Sequence, residues 1–169
     1  ETILETLNCL EDKINIICID DCSNDGTLEV LTNWENKIPD RRKVIRHNQN
    51  RGLGASRNTG VSESKTEWVM FLDSDDIISS DCFNDINKKW MSIKTSYGWC
   101  YHPYLEWNDF DRKERLRKTD TIKENHHLVT KRMPFSASGA IFRKDLLETI
   151  GGFDTDRNLE GTEDLDLYM

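Results

Sequence analysis

The strongest chemical signal in the sequence is Asp73-Ser74-Asp75-Asp76, which directly follows an apolar run. Carboxylates this close together repel one another unless a cation lies between them. Their oxygen atoms suit a hard divalent ion, Mg²⁺ or Mn²⁺, especially one that is shared with phosphate groups. The alternative is a solvated turn in which Ser74 or Asp75 caps the next helix. The position at the end of an apolar strand strengthens the metal interpretation, and the local sequence leaves both open.

A second acidic cluster, IDDCSNDGT, also follows an apolar run, and its candidate site residues are Asp20, Asp21, Ser23 and Asp25. Read from Asp21, positions 1, 3, 5 and 6 fit a calcium-binding EF-hand loop, but position twelve is Thr32 instead of the required Glu. The EF-hand interpretation is therefore rejected. A polar turn between a strand and a helix is instead a good place to hold a nucleotide base or ribose.

A glycine-containing segment, NRGLGASRN, opens a predicted helix and contains Arg57. It does not match a dinucleotide fingerprint, because Arg57 stands where the third glycine should be. A guanidinium near the start of a helix can bind a base carbonyl or a phosphate, or it can form a surface salt bridge. The local sequence leaves both interpretations open.

The last acidic pair, Glu163-Asp164, follows Gly161-Thr162. A carboxylate beside other carboxylates has a raised pKa and can serve as a general base. Acidic residues are also favoured in the first turn of a helix by the helix dipole. From the local sequence alone, the second interpretation is the stronger one.

The elements that must position these residues alternate between strands and helices. Hydrophobic spacing predicts helices within the first ten residues and at about 27–34, 55–64, 80–94 and 144–150, and strands at 14–19, 44–45, 68–72, 99–107 and 140–142. Residues 108–132 are charged and poorly periodic, which predicts a long loop. The alternation indicates an α/β fold with a mainly parallel sheet flanked by helices. Ligands bind such sheets beyond the carboxyl ends of the strands, where the first two acidic clusters are predicted to meet.

The charge balance restricts the partners. The chain has 31 acidic and 23 basic residues, a net charge of −8, which argues against nucleic-acid binding through a broad basic surface. Nine of the acids lie in the three acidic clusters, so the remaining charges nearly balance. The surplus is therefore gathered at the predicted site, which favours a bound divalent cation. No apolar run approaches the length of a membrane span.

The cysteines indicate the cellular compartment of the chain and give little support for a metal site. Five cysteines contain no CxxC pair, and no second Cys/His pair completes a zinc site. Reduced structural thiols predict a cytoplasmic location, with parts of a parent protein able to hold this segment at the cytoplasmic face of a membrane.

Taken in order, the motifs resemble the catalytic domain of glycosyltransferase family 2, which has the GT-A fold. The matching segments are IDDCSNDGT, NRGLGASRN, FLDSDD, and SGAIFRKDLLETIGGFD followed by EGTEDLDL. The resemblance extends over essentially the whole chain. It implies the α/β fold of nucleotide-diphospho-sugar transferases.

The resemblance also implies a role for each candidate residue. Asp21 would contact the base of a nucleotide sugar, Arg57 would help to hold it, and Asp73 would approach the ribose. Asp75 would bind Mn²⁺ or Mg²⁺ bridging the diphosphate, and Asp164 would deprotonate the acceptor hydroxyl. The other candidates for the nucleotide-sugar site are Asp20, Ser23, Asp25 and Ser74, and the secondary candidates are Asp76 and Glu163.

The implied reaction is transfer of a hexosyl or hexosaminyl group from a nucleotide-diphosphate sugar, UDP-linked, to a hydroxyl acceptor, with metal dependence and inversion. The acceptor would be a glycan, a lipid-linked molecule or a protein, in polysaccharide or glycoconjugate biosynthesis. Two alternatives stay open: a catalytically silent nucleotide-sugar-binding module, and a nucleotidyltransferase. The second usually needs a glycine- and lysine- or arginine-rich phosphate loop near its first strand, which the sequence lacks.

The sequence departs from the family at both ends. Such domains usually open with an apolar strand, whereas this chain begins in what would be the following helix, and the family continues past the Glu-Asp motif. We therefore expect a truncated single catalytic domain over 1–169, with a nucleotide-sugar-binding half at 1–97 and an acceptor-side half at 98–169.

Overall fold

The computed structural model describes residues 14–78, 84, 88, 98–100, 138 and 140–156, and the backbones of two further strands at 104–108 and 113–117. The strands are β1 (Ile16–Asp20), β2 (Arg42–Arg46), β3 (Trp68–Met70), β4 (Trp99–Cys100), β5 (Tyr104–Asn108), β6 (Lys113–Arg117) and β7 (Ile141–Arg143). The helices are α1 (Thr27–Glu35), α2 (Leu53–Glu63) and α3 (Lys144–Thr149). The helix predicted in the first ten residues lies outside the described residues, as does most of the one predicted at 80–94.

The described residues fall into two compact units, one with residues 14–69 and 144–156 and the other with the residues from 70 to 143. In the first unit, β1 and β2 pair in parallel, from Ile16 opposite Arg42 to Asp20 opposite Arg46. The β-branched run that ends in Ile19 explains β1, because such side chains suit a pleated surface. The parallel pairing confirms the α/β prediction for this part of the chain.

Asp25 and Thr27 shape the start of α1. Thr27 is the first helical residue, and its hydroxyl donates a hydrogen bond to Asp25 Oδ1 at 2.6 Å. The backbone amide of Thr27 donates to the same oxygen at 3.2 Å, so Asp25 closes the turn that leads into α1. Gly26 between them has a φ of 86°, a left-handed conformation that glycine adopts without steric cost. Leu31 and Trp34 of α1 are buried, as the helical spacing predicts.

Two glycines end α3. The amide of Gly152 donates to Leu147 O at 2.8 Å, and that of Gly151 donates to Glu148 O at 3.3 Å. Both glycines have positive φ, 89° at Gly151 and 78° at Gly152. This is the pattern of a Schellman motif, which satisfies the last carbonyls of a helix.

In the second unit, β7 pairs antiparallel with β4, so that Trp99 lies opposite Phe142 and their rings stack at 6.2 Å. The strand order in this sheet is β3-β7-β4. The predicted strand at 99–107 is two strands, and the loop prediction for 108–132 is wrong for Lys113–Arg117, which forms β6 and pairs antiparallel with β5. The sequence of β6 is charged and lacks an apolar period, so only its pairing with β5 reveals it. Among the described residues, no helix is both long and apolar enough to cross a membrane.

Candidate functional site

The carboxyl end of β1 carries Asp20, which is almost completely buried. Its Oδ1 accepts a hydrogen bond from the Ser23 amide at 3.1 Å, and its Oδ2 lies 3.5 Å from Arg46 Nε. Arg46 also donates from Nη2 to Ser23 O at 2.9 Å. These contacts require a tight turn, in which Cys22 adopts a positive φ of 68°. Such a conformation is uncommon for a residue with a side chain, and the contacts on both sides hold it in place.

The next residue, Asp21, connects the first two motifs of this unit. Its carboxylate accepts hydrogen bonds from the Gly52 amide at 2.7 Å and from the Arg51 amide at 2.9 and 3.1 Å. It also lies 2.6 Å from His47 Nδ1. Burial acts to raise the pKa of Asp21, but the hydrogen bonds from Arg51, His47 and Gly52 outweigh it and lower the pKa. The carboxylate therefore stays ionised and fixes the entrance to α2.

His47 is a residue of this site that the sequence reasoning misses. It directly follows β2, is buried, and lies 2.9 Å through Nε2 from the hydroxyl of Thr59 in α2. The residue type gives no signal, because a single histidine in a polar segment is common. The topology gives a signal, because His47 follows the carboxyl end of a strand that is parallel to β1.

Arg57, on the first half of α2, is buried, and its guanidinium carbon lies 5.3 Å from the centre of the Phe153 ring. The neighbouring Asn58 makes two hydrogen bonds to the backbone of the same phenylalanine. Its Nδ2 donates to Phe153 O at 2.8 Å, and its Oδ1 accepts from Phe153 N at 2.8 Å. The NRGLGASRN and GGFD segments, which the sequence separates by ninety-five positions at this contact, therefore touch. The predicted contact of Arg57 with a nucleotide stays a prediction.

Asp25 is fully exposed at the start of α1, and hydrogen bonds from the hydroxyl and the amide of Thr27 lower its pKa. With Asp20, Asp21 and Ser23 it forms one polar turn after β1. The structure thus brings four of the predicted nucleotide-site residues together on one segment.

The Asp73–Asp76 turn belongs to the second unit. Asp76 N donates to Asp73 O at 3.1 Å, and Asp73 N donates to the hydroxyl of Ser138 at 3.0 Å. Asp73 is half-buried, whereas Ser74, Asp75 and Asp76 are exposed. Among the described residues, no group of three or more His, Cys, Asp or Glu side chains is arranged to hold a metal ion. The predicted residues Glu163 and Asp164 lie outside the described residues.

Comparison with known proteins gives a consistent result. A sequence profile described as Glycosyl transferase family 2 matches residues 1–151. The chain is 32% identical over 89 residues to the poly(ribitol-phosphate) beta-N-acetylglucosaminyltransferase TarS of Staphylococcus aureus, a match that covers 49% of this chain and 15% of TarS. It is 34% identical over 82 residues to a poly(ribitol-phosphate) beta-glucosyltransferase of Bacillus spizizenii, covering 43% of this chain and 13% of that protein.

The solved structures that resemble this chain are glycosyltransferases of the GT-A fold. The structure of S. aureus TarS 1–349 in complex with UDP matches with a TM-score of 0.69 at 23% identity, over 98% of this chain and 49% of that one. The mannosyltransferase PcManGT from Pyrobaculum calidifontis, in complex with GDP-Man and Mn²⁺, matches with a TM-score of 0.65 at 23% identity, over 92% and 44%. The chain thus spans about half the length of these structures and a smaller share of the curated relatives. The fold of the chain is the GT-A fold.

Proposed function

The chain belongs to glycosyl transferase family 2, and from this premise we propose that it transfers a sugar from a UDP-linked donor to a hydroxyl acceptor. UDP is the nucleotide in the solved complex of TarS, and UDP-GlcNAc is the ligand in another TarS structure. Both ligands support a uridine nucleotide donor here. The two named poly(ribitol-phosphate) relatives make a polyol-phosphate polymer the first acceptor to test.

One observation carries the proposal: the Asp21 carboxylate is tied to the Arg51 and Gly52 amides at the carboxyl end of β1. Parallel α/β sheets bind their ligands at this edge. The contacts bring the IDD and NRG segments together. The Asp21 side chain keeps 21% of its surface exposed, so a nucleotide base can still approach it.

The other residues of the turn divide into two groups. Asp20, Ser23 and Asp25 shape the turn through their hydrogen bonds, and we infer that they act on the nucleotide by holding Asp21 in place. Arg57, Asp73 and Ser74 are proposed to contact the nucleotide sugar itself.

We further propose that Asp75 binds Mn²⁺ or Mg²⁺. Its carboxylate is an oxygen donor of the kind these ions prefer, and its exposure lets an ion approach with the diphosphate and water as further ligands. The Mn²⁺ in the PcManGT complex supports a divalent ion. When bound, the ion would offset the negative charge that grows on the leaving diphosphate. Asp73 and Asp76 form the same turn and are the nearest additional carboxylates in sequence.

For the acceptor, we propose Asp164 as the base that removes the proton of the attacking hydroxyl, with inversion at the anomeric carbon. Asp164 follows the matched family region, which ends at residue 151. Glu163 is its nearest alternative. The division into a donor half at 1–97 and an acceptor half at 98–169, and a cytoplasmic site of action, remain part of this proposal.

Titration calorimetry with UDP and UDP-sugars, with and without Mn²⁺, tests the donor site, and a turnover assay with a polyol-phosphate polymer tests the transfer. Asp21→Asn should weaken UDP binding about tenfold, because it replaces a charged acceptor by a neutral amide. Asp40→Asn is the matched control, since Asp40 is exposed in the turn after α1. Equal UDP affinities of the two variants would contradict the assigned role of Asp21. Binding without turnover would favour a catalytically silent module.

A further inference from the structure

His47 lies where three elements of the first unit meet. Its backbone amide donates to Asp20 O at 2.9 Å, which joins the ends of β2 and β1. Its ring spans the gap between Asp21 Oδ1, 2.6 Å from Nδ1, and Thr59 Oγ1, 2.9 Å from Nε2. The ring is only 5% exposed, so few waters can replace these partners.

The partners of the ring determine the role of Nδ1. The ionised Asp21 carboxylate can only accept, so Nδ1 donates to it. The Thr59 hydroxyl lies 2.9 Å from Ala55 O and 2.9 Å from His47 Nε2, so the other end of the ring is attached to α2.

The groups around Asp21 complete its fixed position. The amides of Arg51 and Gly52 donate to its carboxylate. The neighbouring Asp20 is buried beside Arg46, which is its own partner.

We propose that His47 is a positioning residue for the nucleotide donor: its ring, bonded to Asp21 through Nδ1 and to Thr59 through Nε2, links the Asp21 carboxylate to α2, so that Asp21 meets the nucleotide base in one fixed orientation. This inference rests on the proposed function, because it assigns a nucleotide to Asp21. His47 itself touches no reacting atom. Its loss should therefore raise the Kd and KM for the donor and leave kcat at saturating donor unchanged.

Two substitutions separate the two bonds of the ring. The amide of His47→Asn can replace the Nδ1 donor to Asp21, and the amide of His47→Gln can replace the Nε2 donor to Thr59. We expect His47→Gln to weaken UDP binding about tenfold, because it removes a charge-assisted hydrogen bond. His47→Asn should stay within about threefold of the native affinity. Equal affinities of the two variants would overturn the proposal, since a general loss of packing would affect both alike.

Nitrogen-15 NMR of the ring in the full chain needs no nucleotide. A protonated Nδ1 whose resonance shifts in Asp21→Asn supports the link to Asp21, and an Nδ1 that carries no proton overturns it. A folded native protein that binds neither UDP nor UDP-sugars refutes the proposed donor site. The NMR result then still decides whether His47 holds Asp21.

Discussion

Replacing Gly152 by Ala should destabilise the fold much more than the same replacement at Gly151. Both glycines have positive φ, which costs a residue with a Cβ about 1–2 kcal/mol. A Cβ at Gly151 would meet nothing within 4 Å, whereas one at Gly152 would lie closer to Asn58 Oδ1 than any contact allows. Gly152→Ala therefore also displaces Asn58 from Phe153.

The size of that second loss follows from the two hydrogen bonds, each 2.8 Å long and half-buried. Breaking both, and leaving the Phe153 amide and carbonyl poorly satisfied, costs about 2–4 kcal/mol. Gly151→Ala should thus cost about 1–2 kcal/mol, and Gly152→Ala about 3–6 kcal/mol. In a chain of this size, each 1 kcal/mol lowers the Tm by about 2–4 °C.

A double-mutant cycle with Asn58→Ala measures how far the effect of Gly152→Ala depends on Asn58. Asn58→Ala alone loses the two bonds, about 2–4 kcal/mol, but also removes the atoms that a Cβ at Gly152 would strike. The double variant should be about as unstable as Gly152→Ala alone, so the two effects do not add. Urea unfolding of the four proteins and of Gly151→Ala gives the free energies. Additive effects, or equal losses at Gly151 and Gly152, would refute the reasoning.

Two further predictions concern single carboxylates. Asp164→Asn should abolish sugar transfer while nucleotide binding stays nearly native, because the proposed base acts only on the proton of the acceptor hydroxyl. Full activity of this variant in a turnover assay would place the base elsewhere. The pKa of Asp21 is lower in the folded protein than its ordinary value of 3.8, so its ionised form adds stability above that pH. That contribution disappears as the pH falls through the lower, folded pKa. Asp21→Asn should therefore be less stable than the native protein at neutral pH, with a gap that closes in acid. A gap of constant size in urea unfolding at both pH values would contradict this linkage.

Local pattern predicts the elements of the first unit well, because their signals are local. The β-branched run before Asp20 indicates β1, the spacing of Leu31 and Trp34 indicates α1, and the Gly151-Gly152 pair indicates the end of α3. Each signal lies within a few residues of the element it predicts. The parallel pairing of β1 with β2 then follows from the alternation of strands and helices.

The contacts that the sequence reasoning misses join residues far apart in the chain. Asn58 and Phe153 are separated by 95 positions, and His47 and Asp21 by 26. Neither pair leaves a periodic trace, since hydrophobic spacing records only which face of an element is buried. The sequence reasoning misses β6 for a related reason. Its charged sequence has no strand pattern and forms a strand through pairing with β5.

The distribution of charge bears on where the proposed metal would bind. The sequence gathers its acidic surplus into three clusters, which argues that a cation must hold them together. In the cluster after β1, however, Asp20 has Arg46 as its partner, Asp21 has His47 and two amides, and Asp25 has Thr27. These carboxylates are compensated by the protein itself, so their spacing gives no separate argument for a metal.

The electrostatic argument for a divalent ion therefore rests on the Asp73–Asp76 turn, where Asp75 and Asp76 are exposed. Asp75 carries its charge in water, where a carboxylate costs the fold little stability. The two acidic clusters therefore have different proposed roles. The one after β1 has internal partners and can position a nucleotide base. In the one after β3, we propose that the exposed Asp75 binds an ion together with the diphosphate.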